Sequence, residues 1–227
     1  MLISRSLDIG LVSEVKQLQE IDQQLWYLLK QVRKLFDLVG HIAGGRVLLV
    51  GEGNLSFSLS LTRKQRLHGQ NLTATTFETA SQLSKQGLIN AEKLKAAGVT
   101  VGHGIDASKL HQYFGRQFDH IIFQFPHAGT REPIDGRNPN FVLVRDFLIS
   151  AAKVLRPSGS VLISAVDTPH YHGAFQFEEA VQMAGLKIFE VYQFDPSDFP
   201  GYHHTMTNEG SSALANHHNF ATWVFER

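Results

Sequence analysis

Four short polar segments, each close behind an apolar run, carry residue types that bind nucleosides. They are Gly51-Glu52-Gly53-Asn54, Glu78, Ile105 with Asp106, and Gln124-Phe125-Pro126-His127-Ala128-Gly129. In the first segment, two glycines allow a tight backbone turn that a side chain would block. The apolar residues before this turn have the length of a strand, and those after it read as the start of a helix. A strand, a glycine turn and a helix in this order are typical of a nucleotide-binding site; the alternative is an ordinary Gly-x-Gly turn, which is common in parallel α/β proteins that bind no ligand there.

Acidic residues in the later segments predict contacts to the ribose and the base. Glu78 lies about 20 residues beyond the glycines, where a carboxylate can accept hydrogen bonds from both hydroxyls of a ribose. A helix N-cap or a surface acid is the alternative for Glu78. Asp106 can accept from the amino group of an adenine, or it can cap the next short helix. The helix predicted to start at Asn54 offers unpaired N–H groups and a partial positive charge to a polar ligand.

A mostly parallel sheet would bring these four segments together. From residue 46 onward the pattern alternates strand and helix, which predicts an α/β domain with helices on both faces. The predicted strands are 47–50, 72–77, 99–102, 118–125, 160–166, 186–194 and 220–225; the predicted helices are 54–68, 79–97 with an interruption at Gly87, 140–155 and 175–184. A turn is predicted at 156–159. Ligands of such sheets bind beyond the carboxyl ends of the strands.

The first part of the chain predicts one long helix. Apolar residues in 11–39 recur at alternating steps of three and four, which forms an apolar stripe along a helix. This stripe must be covered, and the residues leave three alternatives open: packing on the domain, pairing with the same helix in a homodimer, or closing over the ligand site as a lid. We therefore expect a helical extension at 1–45 and a Rossmann-like domain at 46–227.

Composition limits the class of protein. The 227 residues suffice for one α/β domain with an additional element, and 43% of them are hydrophobic. The absence of cysteine excludes disulfides, thiolate catalysis and cysteine zinc sites. No apolar run approaches the roughly 20 residues that span a bilayer, and no signal peptide is evident. The expected compartment is the cytoplasm, with no membrane partner.

The charge balance and the spacing of the histidines indicate whether the protein binds RNA or a metal ion. Basic and acidic residues are balanced at 21 each, so any RNA binding must be local or assisted. The basic cluster 63–66 fits a phosphate contact or a solvated helix end equally well. Histidines recur as His203-His204, His217-His218 and His170-x-His172, but without a carboxylate at a fixed offset. We expect no metal site.

Five motifs together resemble a known family. They are the segments 49–58 (LVGEGNLSFS), 73–78 (TATTFE), 104–107 (GIDA), 118–129 (FDHIIFQFPHAG) and 194–202 (FDPSDFPGY). In this order and spacing they resemble the eukaryotic large-subunit ribosomal RNA uridine-N3 methyltransferases, over roughly residues 46–227. The resemblance implies a class I methyltransferase Rossmann-like fold, with a seven-stranded sheet whose last strand is antiparallel. It also implies S-adenosylmethionine as the methyl donor.

Carried over residue by residue, the resemblance implies two groups of binding residues. The donor residues would be Gly51, Glu52, Gly53 and Asn54 at the methionine and ribose portions, Glu78 at the ribose hydroxyls, Ile105 and Asp106 at the adenine, and Gln124 beside the methyl group. The substrate residues would be Phe125, Pro126 and His127, with Tyr202, His203 and His204 as a second segment. Gln124 would also be catalytic with His127, because the family motif holds the planar substrate near the methyl group. It stands where the family pattern has Asn, which is one methylene shorter, so its hydrogen-bond geometry departs from that pattern.

The segment 124–129 has residue types that suit methyl transfer to a ring nitrogen. The nucleophile must be held in line with the methyl group, and a uracil-like ring nitrogen must lose its proton. His127 is the candidate base because imidazole titrates near neutrality. Pro126 would fix the backbone, and Phe125 could supply a stacking plane. The alternative is that Phe125 is a core aromatic and His127 a histidine at a helix end.

Three functions remain open on the residues alone. The family resemblance favours uridine N3 of ribosomal RNA as the substrate. The balanced charge and the absence of the family's paired arginines after Tyr202 favour a small heterocyclic metabolite. A non-catalytic donor-binding or scaffold protein is the third alternative, with the N-terminal helix as its partner surface.

Overall fold

The computed structural model describes residues 16–18, 20, 21, 24, 36–204 and 217–227. The chain divides into two compact units, Met1–Lys34 and Leu35–Arg227. Most of the helix predicted at 11–39 lies outside the described residues. At its C-terminal end the structure has a separate short helix, α1 (Leu38–Ile42), whose N-cap is Asp37. The division precedes the boundary expected at residue 45, because Leu38 and Ile42 are buried in the core of the second unit.

The second unit is built on one seven-stranded sheet. Its strands are β1 (Val47–Val50), β2 (Leu72–Thr75), β3 (Thr100–Gly102), β4 (Phe118–Gln124), β5 (Leu155–Val166), β6 (Lys187–Gln193) and β7 (Phe220–Glu226). The spatial order is β3-β2-β1-β4-β5-β7-β6. β1 to β5 pair in parallel, whereas β7 is antiparallel to both β5 and β6. The predicted sheet with an antiparallel last strand is confirmed.

Helices cover both faces of this sheet. After α1 they are α2 (Ser56–Leu61), α3 (Lys85–Ala96), α4 (Pro139–Val154), α5 (Pro169–Phe175) and α6 (Phe177–Met183), with 3-10 helices at Gly69–Asn71, Ala107–Gln112 and Pro196–Asp198. α4, α5 and α6 contribute to the hydrophobic core on one face, and α1, α2 and α3 to the core on the other. All four residues of β1 are buried, as expected for a central strand covered on both sides.

Local structure departs from the sequence prediction in several places. The turn predicted at 156–159 lies within β5, because the strand extends back to pair Leu155 with Phe118. The helix predicted at 175–184 is preceded by α5, which the sequence analysis missed, and Gln176 separates α5 from α6 in a left-handed conformation with φ +47. Gly87 does not interrupt α3, which begins after the N-cap Ser84.

A partly buried polar cluster lies at the amino-terminal edge of the sheet, opposite the carboxyl ends of the strands. His41 Nε2 and His120 Nδ1 both hydrogen-bond the Ser160 hydroxyl, each at 2.9 Å. A hydroxyl can donate to one neutral imidazole while it accepts from the other. Burial first and the neighbouring His41 second lower the pKa of His120 to about 4, against the opposing effect of Asp119. The folded protein therefore favours the neutral ring.

This cluster predicts a loss of stability in acid. Because the folded-state pKa of His120 is depressed, its contribution is fully present above pH 6.5 and is lost as the pH falls toward 4. We expect the free energy of unfolding to drop by about 2 kcal/mol over this range, after allowance for solvent screening. Chemical denaturation at a series of pH values measures this slope. His120→Asn should flatten it, whereas His68→Asn at an exposed histidine should not, and an unchanged slope in His120→Asn would contradict the prediction.

Candidate functional site

The turn after β1 depends on Gly51. This residue has φ +66, and an added Cβ would lie 2.4 Å from Cε2 of Phe123. Alanine at this position is therefore disfavoured both by the left-handed backbone and by the Phe123 ring. The Glu52 amide then donates to the carbonyl of Thr75 at 3.1 Å, which ties the turn to the end of β2. The first two strands thus end at one shared edge, as the sequence analysis expected.

The carboxylate of Glu52 points into the protein. The residue is 6% exposed, and its carboxylate accepts from the Ser58 amide at 3.1 and 3.2 Å and from the Ser58 hydroxyl at 2.8 Å. Burial raises the pKa of Glu52 to about 7, although the hydrogen bonds from Ser58 oppose this. Glu52 therefore titrates near neutrality.

The sequence predicted unpaired N–H groups at the start of this helix, but two N–H groups at the N-terminus of α2 are already hydrogen-bonded. The Ser56 amide donates to Oδ1 of Asn54 at 3.0 Å, and the Ser58 amide donates to Glu52. These two N–H groups are satisfied within the chain. The predicted cap Asn54 does bind the helix start, but α2 begins at Ser56 and ends at Leu61 instead of running through 54–68. Its N-cap position is Leu55, in a left-handed conformation with φ +60.

Asn54 and Ser56 also join the glycine turn to the segment 202–204. Asn54 Nδ2 donates to the His203 carbonyl at 2.7 Å, and the Ser56 hydroxyl donates to the same carbonyl at 3.0 Å. The His203 amide lies 3.0 Å from the Ser56 hydroxyl and can donate to it. From α3, Asn90 Nδ2 donates to the Asn54 carbonyl at 2.8 Å. The predicted donor segment and the predicted second substrate segment are therefore adjacent.

The two acids predicted near the ribose and the base differ in their surroundings. The Glu78 carbonyl accepts from the Gly104 amide and the Thr76 hydroxyl, while its half-exposed side chain makes no hydrogen bond or ion pair within the described chain. In contrast, Asp106 accepts from the amide and the hydroxyl of Ser108 and pairs with Lys109 at 3.0 Å. Asp106 thus caps the 3-10 helix Ala107–Gln112, the second of the two roles that the sequence left open.

Asp106 is nonetheless ionised. Burial would raise its pKa, but the hydrogen bonds from Ser108 and Lys109 outweigh that effect and lower it. A carboxylate has about four acceptor positions, so the cap does not exclude a further donor. Ile105 beside it is partly buried against the core, and its amide donates to the Thr76 carbonyl at 3.0 Å.

Four buried polar atoms at the end of β4 and in segment 202–204 have no hydrogen-bond partner among the described residues. They are Nε2 and Oε1 of Gln124, the phenol oxygen of Tyr202 and Nδ1 of His204. Buried polar groups in folded proteins are almost always paired, because an unpaired one costs about 1–3 kcal/mol. Unpaired atoms on neighbouring segments indicate a place that is built to receive a polar ligand.

Phe125 lies between these segments. Its φ of +50 is unusual for a non-glycine residue, and its amide donates to the Ser164 carbonyl at 2.7 Å. The half-buried ring makes edge contacts with His204 at 5.2 Å, with Phe220 at 5.5 Å and with Phe194 at 5.7 Å between ring centroids. Strained backbone of this kind persists where the surrounding structure holds it, often at functional sites. Pro126, which follows, is buried.

The two histidines near Phe125 have different hydrogen-bonding states. His127 Nδ1 accepts from the Gly129 amide at 2.9 Å, so the neutral ring carries its hydrogen on Nε2. Partial desolvation first and the charge of Arg131 second lower the pKa of His127. Burial first and the nearby His127 second lower the pKa of His204 to about 4, so His204 is neutral at physiological pH. The geometry suits His127 to donate and His204 to accept.

Tyr202 completes this cluster. Its ring packs edge-on against Phe57 of α2 at 5.1 Å. Burial first, and the nearby Glu52 carboxylate second, raise the pKa of Tyr202 well above its usual value. The phenol is therefore a neutral hydrogen-bond donor at every physiological pH.

The basic cluster 63–66 is engaged within the protein. Arg63 Nη1 donates to the Pro200 carbonyl at 3.1 Å, and Lys64 Nζ donates to the Asp198 carbonyl at 2.6 Å. Arg66 pairs with Asp37 at 3.0 Å. The role of Arg63 and Lys64 is to hold the segment that leads into Tyr202, a third role that the sequence analysis did not consider.

Two further observations concern the described part of the chain. It contains no group of three or more His, Cys, Asp or Glu side chains that could hold a metal ion. None of its helices is long and apolar enough to cross a membrane. The recurring histidines make other contacts: His172 Nε2 pairs with Asp167 at 2.8 Å, and the His217 ring lies edge-on to Tyr171.

Three residues that shape the site were not among the candidates predicted from the sequence. Ser58 binds the buried Glu52, Ser56 binds His203, and Asn90 binds the carbonyl of Asn54. A signal for two of them was present, because Ser56, Ser58 and Ser60 alternate with apolar residues in a helix that is otherwise hydrophobic and almost wholly buried. Buried hydroxyls of this kind need partners.

Similar structures define the class of fold. An antibiotic-related methyltransferase superposes with a TM-score of 0.53 at 15% identity, covering 84% of this chain and 95% of that one. The [4+2]-cyclase SpnF superposes with a TM-score of 0.51 at 18% identity, covering 84% of this chain and 78% of that one. Together with the strand order and the glycine turn, these define a class I methyltransferase fold. The cyclase shows that this fold alone does not determine the reaction.

The chain belongs to the family described as rRNA (uridine-N3-)-methyltransferase BTM5-like, whose model matches residues 48–206. It is 31% identical to an uncharacterized Arabidopsis thaliana protein, over 73% of this chain and 82% of that protein. It is 32% identical to the human ferredoxin-fold anticodon-binding domain-containing protein 1, over 71% of this chain. It is 22% identical to the 25S rRNA (uridine(2634)-N(3))-methyltransferase of Saccharomyces cerevisiae, over 71% of this chain and 66% of the yeast protein. The match spans only 28% of the human protein's length.

Proposed function

We propose that this protein is an S-adenosylmethionine-dependent N-methyltransferase of a uracil-like ring nitrogen, with uridine N3 of ribosomal RNA as the substrate. The observation that carries the proposal is the set of four unpaired buried polar atoms on Gln124, Tyr202 and His204. The base of a uridine, which is bonded to ribose through N1, presents two carbonyl acceptors and one N–H donor at N3. An amide, a phenol and a neutral imidazole supply the complementary donors and acceptors. Family membership supports the same substrate.

The donor residues that we propose are those at the ends of β1, β2 and β3. Gly51 keeps the turn open, Glu78 accepts from the ribose hydroxyls, and Ile105 with Asp106 receives the adenine. The side chain of Glu78, without a partner in the described chain, supports its role. When bound, S-adenosylmethionine supplies a methyl group on a positively charged sulfur. Asn54 acts indirectly in this proposal, because its side chain is bonded to His203 and Ser56.

The chemistry requires an aligned nucleophile and an acceptor for its proton. We propose that Gln124 and Tyr202 orient the ring through its carbonyl groups, while the edge of Phe125 limits its position. His204 Nδ1 presents a lone pair when the ring hydrogen is on Nε2, so this atom can take the N3 proton. His127 then donates from Nε2 to a ring oxygen, which differs from its role in the sequence analysis. The low pKa of His204 keeps it neutral but makes it a weak base.

A small heterocyclic metabolite is the second candidate substrate. The observation in its favour is that Arg63 and Lys64, the basic side chains that contact the segment before Tyr202, donate to backbone carbonyls. A surface that grips RNA needs cations directed at phosphates. We therefore propose assaying methyl transfer to a uridine-containing ribosomal RNA fragment and to free uridine, over a series of salt concentrations. Transfer to RNA alone, with a steep salt dependence, supports the ribosomal RNA substrate, and transfer to free uridine supports the metabolite.

Removal of the Glu78 carboxylate tests the donor site. Glu78→Ala is expected to weaken binding of S-adenosylmethionine by about 10–100-fold, because two hydrogen bonds to a charged acceptor are lost. Isothermal titration calorimetry measures this change. Glu178→Ala, at an exposed acid on α6, is the matched control and should bind normally. Equal affinity of the two variants would remove Glu78 from the donor site, and no binding by the unmodified protein would favour the non-catalytic scaffold.

A further inference from the structure

Glu52 is a buried carboxylate without a cationic partner in the described chain. Its hydrogen bonds all come from one neutral residue, Ser58, at 2.8 to 3.2 Å. None of the ion pairs formed by the described residues includes Glu52. Removing a carboxylate from water is costly unless a positive charge compensates or the group is protonated. Glu52 therefore depends on its proton or on a cation other than those of the described residues.

The position of Glu52 relates it to the donor. The residue lies between Gly51 and Gly53, in the turn at the carboxyl end of β1. The titratable group that faces it from another segment is Tyr202, whose buried phenol remains neutral. The charge state of Glu52 is thus set by burial, by Ser58 and by whatever binds at the turn. Burial raises the pKa of Glu52 to about 7, and a positive charge placed next to the carboxyl group favours its ionised form.

This inference rests on the proposed function. We infer that Glu52 is the counter-ion of the cationic donor: it holds a proton in the donor-free protein and releases it to solvent when a sulfonium binds at the turn. The carboxylate formed in this way stabilises the positive sulfur. After methyl transfer Glu52 faces a neutral thioether and takes a proton back from solvent. Glu52 would therefore make the protein bind the charged donor more tightly than the demethylated product.

Proton release on binding tests this inference without an activity assay. Calorimetric titrations at pH 7, in buffers of different ionisation enthalpy, report the number of protons exchanged. We expect about half a proton to be released per S-adenosylmethionine bound, since a group with a pKa near 7 is about half protonated there. Sinefungin, in which a protonated amine replaces the sulfonium, should release a similar amount. S-adenosylhomocysteine, with its neutral sulfur, should release clearly less.

Substitutions assign the proton to Glu52. Glu52→Gln keeps an acceptor for Ser58 but cannot titrate, so it should abolish the release and lower the affinity for S-adenosylmethionine about tenfold relative to S-adenosylhomocysteine. Ser58→Ala retains the carboxylate and should retain the release. If Glu52→Gln does not fold, the difference in proton release between S-adenosylmethionine and S-adenosylhomocysteine on the unmodified protein still tests whether a buried group responds to the charge of the donor.

Two results would overturn the inference. One is binding of S-adenosylmethionine with no proton release, or with the same release as S-adenosylhomocysteine, which leaves the proposed function intact. The other is full release by a folded Glu52→Gln variant, which assigns the proton to another group. A lack of any S-adenosylmethionine binding would instead contradict the proposed function and this inference with it.

Discussion

Gly51→Ala is expected to abolish binding of S-adenosylmethionine and to lower the free energy of unfolding by about 2–4 kcal/mol. Two causes add: the left-handed backbone disfavours a residue with Cβ by about 1 kcal/mol, and the new methyl group meets the Phe123 ring at 2.4 Å. Phe123 cannot move away freely, because it packs edge-on against Phe147 at 5.1 Å. The turn must shift instead, and with it the carboxyl end of β1. Chemical denaturation and calorimetry measure the two effects.

Gly44→Ala separates backbone strain from steric contact. Gly44 has a similar φ of +79, but nothing lies within 4 Å of its added Cβ. This control should be destabilised by only about 1 kcal/mol and should bind the donor normally. If Gly51→Ala resembles Gly44→Ala in both measurements, the turn tolerates a side chain and the assignment of Gly51 fails.

His204→Ala is expected to lower the rate of methyl transfer by about 100-fold or more, with donor affinity nearly unchanged. The reason is that Nδ1 of His204 is the buried, unpaired nitrogen beside Phe125, whereas Nδ1 of His127 already accepts from Gly129. His127→Ala should cost less, because it removes a hydrogen-bond donor and leaves the base in place. Single-turnover rates with donor at saturation measure this difference.

The acid limb of the pH profile provides a second measurement. A base acts only when it is unprotonated, so a base with a pKa of about 4 gives a rate that rises near pH 4 and does not fall off between pH 6.5 and 5. In the His127→Ala variant the acid limb should move to higher pH, because this variant lacks the neighbouring histidine that helps to lower the pKa of His204. The prediction would be contradicted if His127→Ala lowered the rate of methyl transfer more than His204→Ala did and the acid limb of the unmodified protein lay near pH 6.5. His127 would then be the base.

The strand and helix pattern was predictable because it depends on local spacing. The predicted strand at 47–50 agrees with β1, and the strand predicted at 118–125 agrees closely with β4. Central parallel strands are buried on both faces, and an unbroken apolar run marks them regardless of what packs against them. The boundaries of α5 and β5 were less predictable, because the break at Gln176 and the pairing of Leu155 with Phe118 depend on tertiary contacts.

For individual side chains, the position along the sheet was predictable from the sequence, whereas the contacts were not. The sequence located Gly51, Glu78 and Gln124 at strand ends, since a parallel sheet brings those ends to one edge. It left open whether Asp106 contacts the base or caps a helix, and it did not reveal that Arg63 and Lys64 hold the segment before Tyr202. Each of those side chains had several possible partners, and only the fold selects among them.

The alternation of strand and helix and the five ordered motifs were enough to predict the class I methyltransferase fold and the family. The electrostatic state of the site depends instead on contacts between segments that are distant in the chain. Asn54 and His203 are separated by 149 positions yet joined by a hydrogen bond of 2.7 Å. Burial by such distant segments sets the pKa of Glu52 and of His204. Desolvation depends on everything that surrounds a group, so it cannot be read from the neighbouring residues in the chain.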